Sequence, residues 1–373
     1  MADPGTQHSA AGRDKPGRPP TIYDVAAAAG VASSTVSRAF ARPGRVNFET
    51  AERIRRVAAE LGYRANPLAR ALPTGRTSMT ALVIADVANP FYNEIIRGAQ
   101  VAAAEAGYTM LLADAQESSS LEREALERAM ATVEGIVLAT SRMSDSAIRM
   151  TAKQRPVVVL NRAVADVPSV VTDNPGGARR AVQHLAELGH RQITYVAGPE
   201  ASWADGIRWR SLREAAAEHG LRARRIGPYA PTVAGGGEAM DDLRKQPGTA
   251  VVAYNDLVAI GLIRALTAAG VHVPREVSVV GFDNIFAAEL VTPALTTVAA
   301  PLNALGLTGT RNLLAIIRGA RPRSAEPVSL PSQLVVRGST AHRSRKRTSP
   351  AWGTTKVSGS APKASRSTEA GSR

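Results

Sequence analysis

No cysteine occurs anywhere in the 373 residues. That absence removes disulfide frameworks, thiolate zinc sites, iron–sulfur clusters and cysteine nucleophiles, and it is compatible with a reducing interior. Aromatic residues are scarce at 4%, yet 44% hydrophobic and 21% charged residues keep the chain in the ordinary globular range, which excludes a wholly disordered, collagen-like or coiled-coil chain. No apolar run reaches the roughly 18 residues needed to span a bilayer. The opening stretch MADPGTQHSAAGRDKPGRPP lacks the apolar segment of a signal peptide, so a soluble, cytoplasmic protein with no membrane partner is expected. The histidines at 8, 184, 190, 219, 272 and 342 form no i,i+4 metal pair and accompany no nucleophile elbow; LGH at His190 reads as a helix-ending turn. Gly235–Gly237 lacks the Lys and Ser/Thr of a phosphate loop. No catalytic residue, metal or cofactor is expected.

What is present is length enough for two or three domains and a basic charge that sits at the ends. Of the net charge of +14, residues 1–77 carry +6, residues 338–373 carry +7, and the 260 between them carry +1. A neutral middle with a basic flank suggests a module bearing a polyanion-binding appendage; for the end of the chain a solvated tail is the favoured alternative. Residues 1–19 and those from about 341 onward have no apolar periodicity and read as disordered basic arm and tail.

Between them the apolar spacing changes twice. Ile22, Val25, Ala26 and Ala29, then Val36, Ala39 and Phe40, then Ile54, Val57, Ala58 and Leu61 give three short helical bursts. Gly30 falls at the first turn and Pro43-Gly44 at the second. From Met79 onward, nine β-rich runs (ALVIAD, YTMLLAD, GIVLAT, PVVVL, SVVTD, ITYVAG, AVVAY, VSVVGFD, LTTVAA) alternate with helical segments such as 94–107 and 175–189. That alternation predicts a doubly wound parallel α/β architecture, and so many strands predict two lobes rather than one sheet. Residues 156–162, where a buried strand ends in polar residues instead of a helix, mark a possible crossover between lobes.

The segment PTIYDVAAAAGVASSTVSRAF meets the demands of a helix–turn–helix: inter-helix apolar contact, a glycine turn, and a second helix with an outward polar face. Val36, Ala39 and Phe40 point inward, while Ser33, Ser34, Ser37 and Arg38 point outward, where Arg38 offers a fork matching guanine O6/N7. Thr21 and Asn47 are N-cap candidates for the first and third helices, with Glu49 complementing the third helix dipole. An ordinary three-helix bundle with a Ser-rich surface would fit the same pattern. Asn66 with Pro67 could start, and Pro73 would stop, a helix of under two turns over 67–72. Such a helix does not persist alone, so Leu72 reads either as a wedge for the DNA minor groove or as a linker residue packed on its neighbour.

A doubly wound fold takes ligands at the carboxyl ends of its strands. There the sequence places Asp86, Asn89, Phe91 and Tyr92 after the first strand, Ser141 after the third, Asp173 and Asn174 after the fifth, Tyr254, Asn255 and Asp256 after AVVA and Asp283 within VVGFD, with Arg208 in GIRWRSL. Planar polar groups beside aromatic rings suit a sugar. Each Asp or Asn is equally suited to cap a helix, Asn174 and Asn255 above all.

Residues 21–72, TIYDVAAAAGVASSTVSRAF…VNFETAERIRRVAAELGYRANPLARAL, resemble the headpiece of the LacI/GalR family of bacterial transcription regulators. NPFYNEIIRGAQ, EGIVLAT, VTDNPGGARRAVQHLAELGHRQITYVAGP, YNDLVAIGLIRALTAAGVHVPREVSVVGFDN, PALTTVAAP and LVVRGST extend the resemblance in one register over about residues 20–340. It implies a helix–turn–helix headpiece (20–64), a hinge helix and linker (65–77) and a two-lobed, periplasmic-binding-protein-like core for effector binding and dimerisation (78–340). The implied function is a repressor, binding a palindromic operator in double-stranded DNA as a homodimer and switched by a small molecule, expected to be a carbohydrate. By position it implies DNA contacts from Thr21, Tyr23, Ser33, Ser34, Arg38, Tyr63, Asn66 and the lever Leu72, to which Thr35, Ser37, Arg45 and Ala69 are added as candidates. It implies effector contacts from Phe91, Tyr92, Arg208 and Asp283, to which Ser141, Asp173 and Asn255 are added as candidates. Ala32 stands where the family has a Ser cap, Pro73 where it has a basic residue, and Ala41 where it often has a polar contact. A two-lobed solute receptor is the alternative function, disfavoured by residues 21–72; a sugar-processing enzyme would need an acid/base pair that the sequence does not place.

Overall fold

The computed structural model describes residues 18–41, 43–63, 76–320 and 326–343. Two compact units meet in sequence between Thr77 and Ser78.

In the first unit, α1 (Ile22–Ala29), α2 (Ser33–Ala41) and α3 (Phe48–Glu60) surround a small core, with a 3-10 turn at Pro43–Arg45. The three apolar bursts supply all but one of its buried residues, Val25, Ala26, Ala29, Val36, Ala39, Ile54 and Ala58; Ala51 lies outside them, while Leu61 of the third burst is 40% exposed. Since most of these are alanines and a fully buried Val or Ile contributes only roughly 1.5–3 kcal/mol, three side chains, Val25, Val36 and Ile54, carry most of the burial. Gly30 adopts φ 63°, the left-handed conformation that ends α1, and Val31 N–H reaches back to the Ala26 carbonyl at 3.0 Å. Asn47 caps α3 by accepting the Glu49 N–H at 2.9 Å.

The second unit holds two six-stranded sheets. The first lobe contains β1 (Met79–Ile84), α4 (Phe91–Glu105), β2 (Thr109–Asp114), α5 (Ser119–Met130), β3 (Gly135–Ala139), α6 (Asp145–Gln154), β4 (Val157–Leu160) and β5 (Ser169–Thr172). The second contains α7 (Asn174–Glu187), β6 (Gln192–Val196), α8 (Trp203–Glu218), β7 (Arg222–Ile226), α9 (Val233–Lys245), β8 (Ala250–Ala253), α10 (Asp256–Ala268), β9 (Ser278–Asp283), α11 (Ala287–Leu290) and β10 (Thr296–Ala299). α12 (Leu302–Ile317) returns to pack on α4 in the first lobe, and β11 (Val328–Leu330) and β12 (Gln333–Val335) complete one sheet each. The strand orders are β11-β5-β4-β3-β1-β2 and β12-β10-β9-β8-β6-β7, parallel except where β12 runs against β10. Each sheet thus has a switch point, β1/β3 and β6/β8, where the connections diverge and a crevice opens.

Three particulars differ from expectation. Residues 156–162 are no crossover: β4 and β5 pair in parallel within the first lobe, joined by a helix-free loop with a bridge between Val164 and Val167. The chain instead changes lobe at Thr172–Asn174, at 299–302 and at 330–333. Three strands, β7, β11 and β12, lie outside the nine apolar runs; β7 reads RARRI and is only partly buried. Finally, residues 341–343 pack on the second lobe rather than opening the tail: Ala341 N–H donates to Ser278 Oγ at 3.1 Å, and Arg343 N–H to the Leu188 carbonyl at 2.8 Å.

Helix packing that frames the crevice depends on close approach. A Cβ on Gly98 of α4 would lie 2.1 Å from the Asn303 carbonyl oxygen, and one on Gly306 of α12 would lie 2.0 Å from that of Ile95. The contact fixes α4, whose first residues face the crevice. No helix among the described residues is long and apolar enough to cross a membrane.

Candidate DNA-reading face and effector cavity

On α2 the buried side is Val36 and Ala39, with Phe40 packed against that core, and the exposed side is Ser34, Ser37 and Arg38, flanked by half-buried Ser33 and Thr35. Arg38 makes no ion pair with any described residue, so its guanidinium is available to a base edge or phosphate. Ala32 precedes α2 with its carbonyl accepting the Thr35 N–H at 2.8 Å, and its methyl group can accept nothing in return. Thr21 starts α1: its N–H and hydroxyl both donate to Asp24 Oδ2 at 2.6 Å, which holds the Asp24 carboxyl below its ordinary range. Tyr23 is 70% exposed. Arg45 is exposed on the 3-10 turn. Tyr63 packs against the headpiece core with its ring 6.0 Å from that of Phe40. Asn66, Ala69, Leu72 and the helix expected over 67–72 lie outside the described residues.

In the second unit the two switch points face one small cavity. The first lobe contributes Asn89, Phe91, Tyr92, Glu117, Thr140, Arg142 and Asn161; the second contributes Arg208, Pro231, Tyr254, Asn255 and Asp283. Five of the seven sequence candidates, Phe91, Tyr92, Arg208, Asn255 and Asp283, are therefore brought together. Ser141 is buried behind the wall, its Oγ accepting the Met143 N–H at 3.2 Å, and its neighbours Thr140 and Arg142 line the cavity instead. Asp173 does not reach it either. It caps α7, accepting the Gly176 N–H at 2.8 Å, and pairs with Arg180 at 3.4 Å.

Arg208 anchors the second-lobe wall. Its Nε donates to Asn174 Oδ1 at 2.8 Å, Nη1 to the Tyr254 carbonyl at 2.6 Å and Nη2 to Asp283 Oδ1 at 3.1 Å. The guanidinium lies over the Phe282 ring, 4.4 Å from its centroid. Burial pushes the Asp283 carboxyl up to about 6 although Arg208 pulls the other way. Behind it, burial and the Asp283 charge push Asp256 well up; Asp256 accepts the Thr297 hydroxyl at 2.5 Å and the Ile285 N–H at 2.8 Å, an interior role rather than a ligand contact. Asn255 caps α10 through Val258 N–H at 2.9 Å while also lining the cavity, so capping and lining coexist.

On the first-lobe wall, Tyr92 and Thr140 share a hydrogen bond between hydroxyls, and burial raises the Tyr92 phenol far above its usual range. Glu117 pairs with Arg142 Nε at 2.6 Å. Three non-glycine residues here, Glu117 (φ 57°), Thr140 (φ 59°) and Asn161 (φ 55°), adopt left-handed backbone, which costs on the order of 1–3 kcal/mol each and clusters at functional sites. Sequence reasoning misses Glu117, Arg142 and Asn161; each lies just past the end of a strand, as do Asp86 and Ser141, and that position is the signal that could have found them. His190 is no ligand candidate: its ring bonds Thr249 and Ser278 hydroxyls at 2.9 and 3.1 Å, and burial lowers its pKa to about 4.

Residues 21–66 match the family described as bacterial regulatory proteins, lacI family, and residues 182–340 match the periplasmic binding protein-like domain. The HTH-type transcriptional regulator DegA of Bacillus subtilis (strain 168) is 34% identical over 331 residues, covering 86% of this chain and 98% of DegA. The lac repressor dimer bound to operator and an anti-inducer superposes with a TM-score of 0.78 at 26% identity, covering 87% of this chain and 100% of that one. The complex of the transcriptional regulator CelR with cellobiose has a TM-score of 0.64 at 32% identity, over 86% and 99% of the two chains.

Proposed function

On the premise that the chain belongs to the lacI family of bacterial regulatory proteins and is a DNA-binding transcription regulator, we propose that it is a repressor acting as a homodimer on a palindromic operator and switched by a small carbohydrate. The domain assignment follows: a basic arm (1–19), headpiece (20–64), hinge (65–77), effector-binding and dimerisation core (78–340), and a basic tail that starts at 344 given the packing of 341–343. Within the headpiece, Ser33, Ser34, Thr35, Ser37 and Arg38 read bases, and Thr21, Tyr23, Arg45 and Tyr63 meet the backbone. Asn66, Ala69 and Leu72 serve at the hinge. The protein works in the cytoplasm, and no step requires catalysis.

The observation that carries the effector half is the cavity itself. Phe91 and the two tyrosines offer apolar ring faces, while Asn89, Asn161 and Asp283 offer polar edges, the mixture that vicinal hydroxyls on an apolar ring demand. CelR bound to cellobiose supports the carbohydrate class. A solute receptor would have no use for residues 21–66.

The test is fluorescence anisotropy with a labelled palindromic duplex against a random one, with and without sugars. Operator preference that a sugar alters is expected. Equal affinity for both duplexes would overturn the repressor reading, and a preference indifferent to every sugar tried would overturn the effector assignment.

A further inference from the structure

The two arginines of the cavity are used differently. Arg208 spends Nε, Nη1 and Nη2 on protein acceptors. Arg142, with its side chain only 5% exposed, spends Nε on Glu117, and its main-chain N–H goes to Glu122 Oε2 at 2.8 Å. Among the described residues its two Nη atoms have no hydrogen-bond partner. A buried guanidinium holds its charge at a cost that unfilled N–H groups only increase, and the free edge of the fork matches a planar carboxylate in bidentate fashion.

The surroundings hold both donors and acceptors. Asn89 commits its Oδ1 to the Phe91 N–H at 3.0 Å, which leaves its amide N–H groups as donors. Asn161 is 4% exposed, lines the cavity, and its Oδ1 is a buried acceptor without a partner. A sugar hydroxyl brings one proton for each oxygen and needs acceptors as well as donors. A carboxylate only accepts, so it fills the N–H groups of Arg142 and Asn89 without adding donors. Glu117 does not cancel this: its side chain is 23% exposed, so the buried end of the pair is the cation. Across the cavity Asp283, with one oxygen engaged by Arg208, and Asn161 remain to receive hydroxyl protons.

We propose, on the carbohydrate-effector reading above, that the effector is a sugar acid, its carboxylate held on the Nη edge of Arg142 and its hydroxyls directed to Asp283 and Asn161. One free guanidinium edge accommodates one planar monoanion. A phosphate dianion would need a second free cation, and the charge of Arg208 is already paired with Asp283 at 3.1 Å.

Calorimetric titration of the full chain at pH 7.5 tests this with matched pairs: D-glucuronate and D-glucose, D-galacturonate and D-galactose, D-gluconate and D-glucitol, with D-glucose 6-phosphate as a further arm. At least one acid should bind, at least about tenfold more tightly than its neutral counterpart, the worth of a charge-assisted hydrogen bond. Arg142→Gln should weaken the acid by about tenfold to a hundredfold and leave the neutral sugar unchanged. Glu117→Gln, which keeps an acceptor on Nε while removing a like charge near the ligand, should tighten the acid alone, and it serves even if the Arg142 variant folds poorly. Neutral sugars binding as well as the acids, the phosphate binding best, or Glu117→Gln weakening the acid would overturn the sugar-acid assignment and leave a carbohydrate effector standing. Binding by no member of the panel would overturn both.

Discussion

Replacing Arg208 by alanine tests whether this residue is a ligand hook or a structural anchor of the cavity. The geometry makes it the second at least as much as the first. It is 3% exposed beside an Asp283 that is 6% exposed, and it satisfies Asn174, the Tyr254 carbonyl and Asp283 at 2.8, 2.6 and 3.1 Å. Adding three charge-assisted bonds at roughly 1.5–3 kcal/mol each would overcount, because they share one desolvated guanidinium; breaking a buried pair as a whole costs about 3–5 kcal/mol. Asp283 limits the loss. Its carboxyl already stands at about 6 with Arg208 present, so without the cation it rises further and takes up a proton instead of remaining a bare charge. The expected cost is therefore about 3 kcal/mol at pH 7.5, and at about 2–4 °C per kcal/mol the core transition should fall by about 6–12 °C. Thermal unfolding followed by tryptophan fluorescence reports it, since Trp209 stacks on Tyr195 at 5.8 Å. The pH dependence carries a sign. The folded-state pKa of Asp283 is raised in both proteins and more so in the variant, so the penalty is fully present above that pKa and vanishes below the unfolded value of about 3.9. The deficit should thus be smaller at about pH 5 than at about pH 7.5. A transition within about 2 °C of wild type, less than the shift expected for 1 kcal/mol, or a deficit that grows on acidification, would refute the anchoring role.

Further outcomes are expected at other points of the molecule. Arg38→Ala should lower operator selectivity by about 1–3 kcal/mol while leaving random-duplex binding and the headpiece fold largely intact; an unchanged selectivity ratio in anisotropy titrations refutes the recognition-helix assignment. Leu72→Ala should reduce operator bending in a circular-permutation assay, and unchanged bending retires the lever. Removing residues 344–373 should lower affinity for all duplexes alike and shallow the slope of log K against log salt by about 0.9 for each phosphate that the tail neutralises; an unchanged slope makes the tail a solvated appendage. Effector affinity should weaken as pH falls through about 6, where Asp283 gains a proton and ceases to accept from ligand hydroxyls, and a flat calorimetric profile between about pH 5 and 8 would remove Asp283 from the contact set.

Strands whose burial is complete are plainly visible in the sequence. The strands drawn from VVVL and AVVA are buried at every position, and their unbroken apolar runs announce them. β7, written RARRI, is a sheet edge whose exposed and half-buried positions tolerate arginine, so hydrophobicity gives no signal; it is visible only as the partner of β6. The lobe exchange is hidden for a similar reason. A helix-free loop after β4 looks like an exit, whereas the real exit at Asp173 looks like an ordinary strand-to-helix turn. In the cavity, position along the chain suffices for Asp283, the last residue of β9, and for Arg208, in the second turn of α8. The exceptions turn on a single residue of register: Ser141 faces inward while its neighbours Thr140 and Arg142 face the cavity, and Asp173 caps α7 while Asn174 holds Arg208. Periodicity does not resolve one-residue choices in loops, where backbone such as that of Thr140 at φ 59° departs from any repeating pattern.

The two walls of the cavity are built independently, and this bears on how a ligand could act at a distance. Arg208 donates to Asn174, Tyr254 and Asp283, all in the second lobe; Arg142 is held by Glu117 and Glu122, and Tyr92 by Thr140, all in the first. Among the described residues, no side-chain hydrogen bond between cavity-lining residues passes from one lobe to the other. Each half-site is therefore organised before ligand arrives, which lowers the ordering cost of binding, while the lobes are joined by three chain crossings and by an apolar cluster that holds Phe91 and Tyr92 of the first lobe with Ile285 and Ala288 of the second. A ligand that engages both walls favours the arrangement in which both reach it, and it shifts the equilibrium only by its difference in affinity for the two arrangements, commonly about 1–3 kcal/mol. Contacts confined to one wall would contribute affinity and no switching. If the ligand engages Arg142 and Asp283 at once, as proposed, a variant lacking either side chain should bind more weakly and, unlike a variant altered elsewhere in the same lobe, lose the response of DNA binding in proportion.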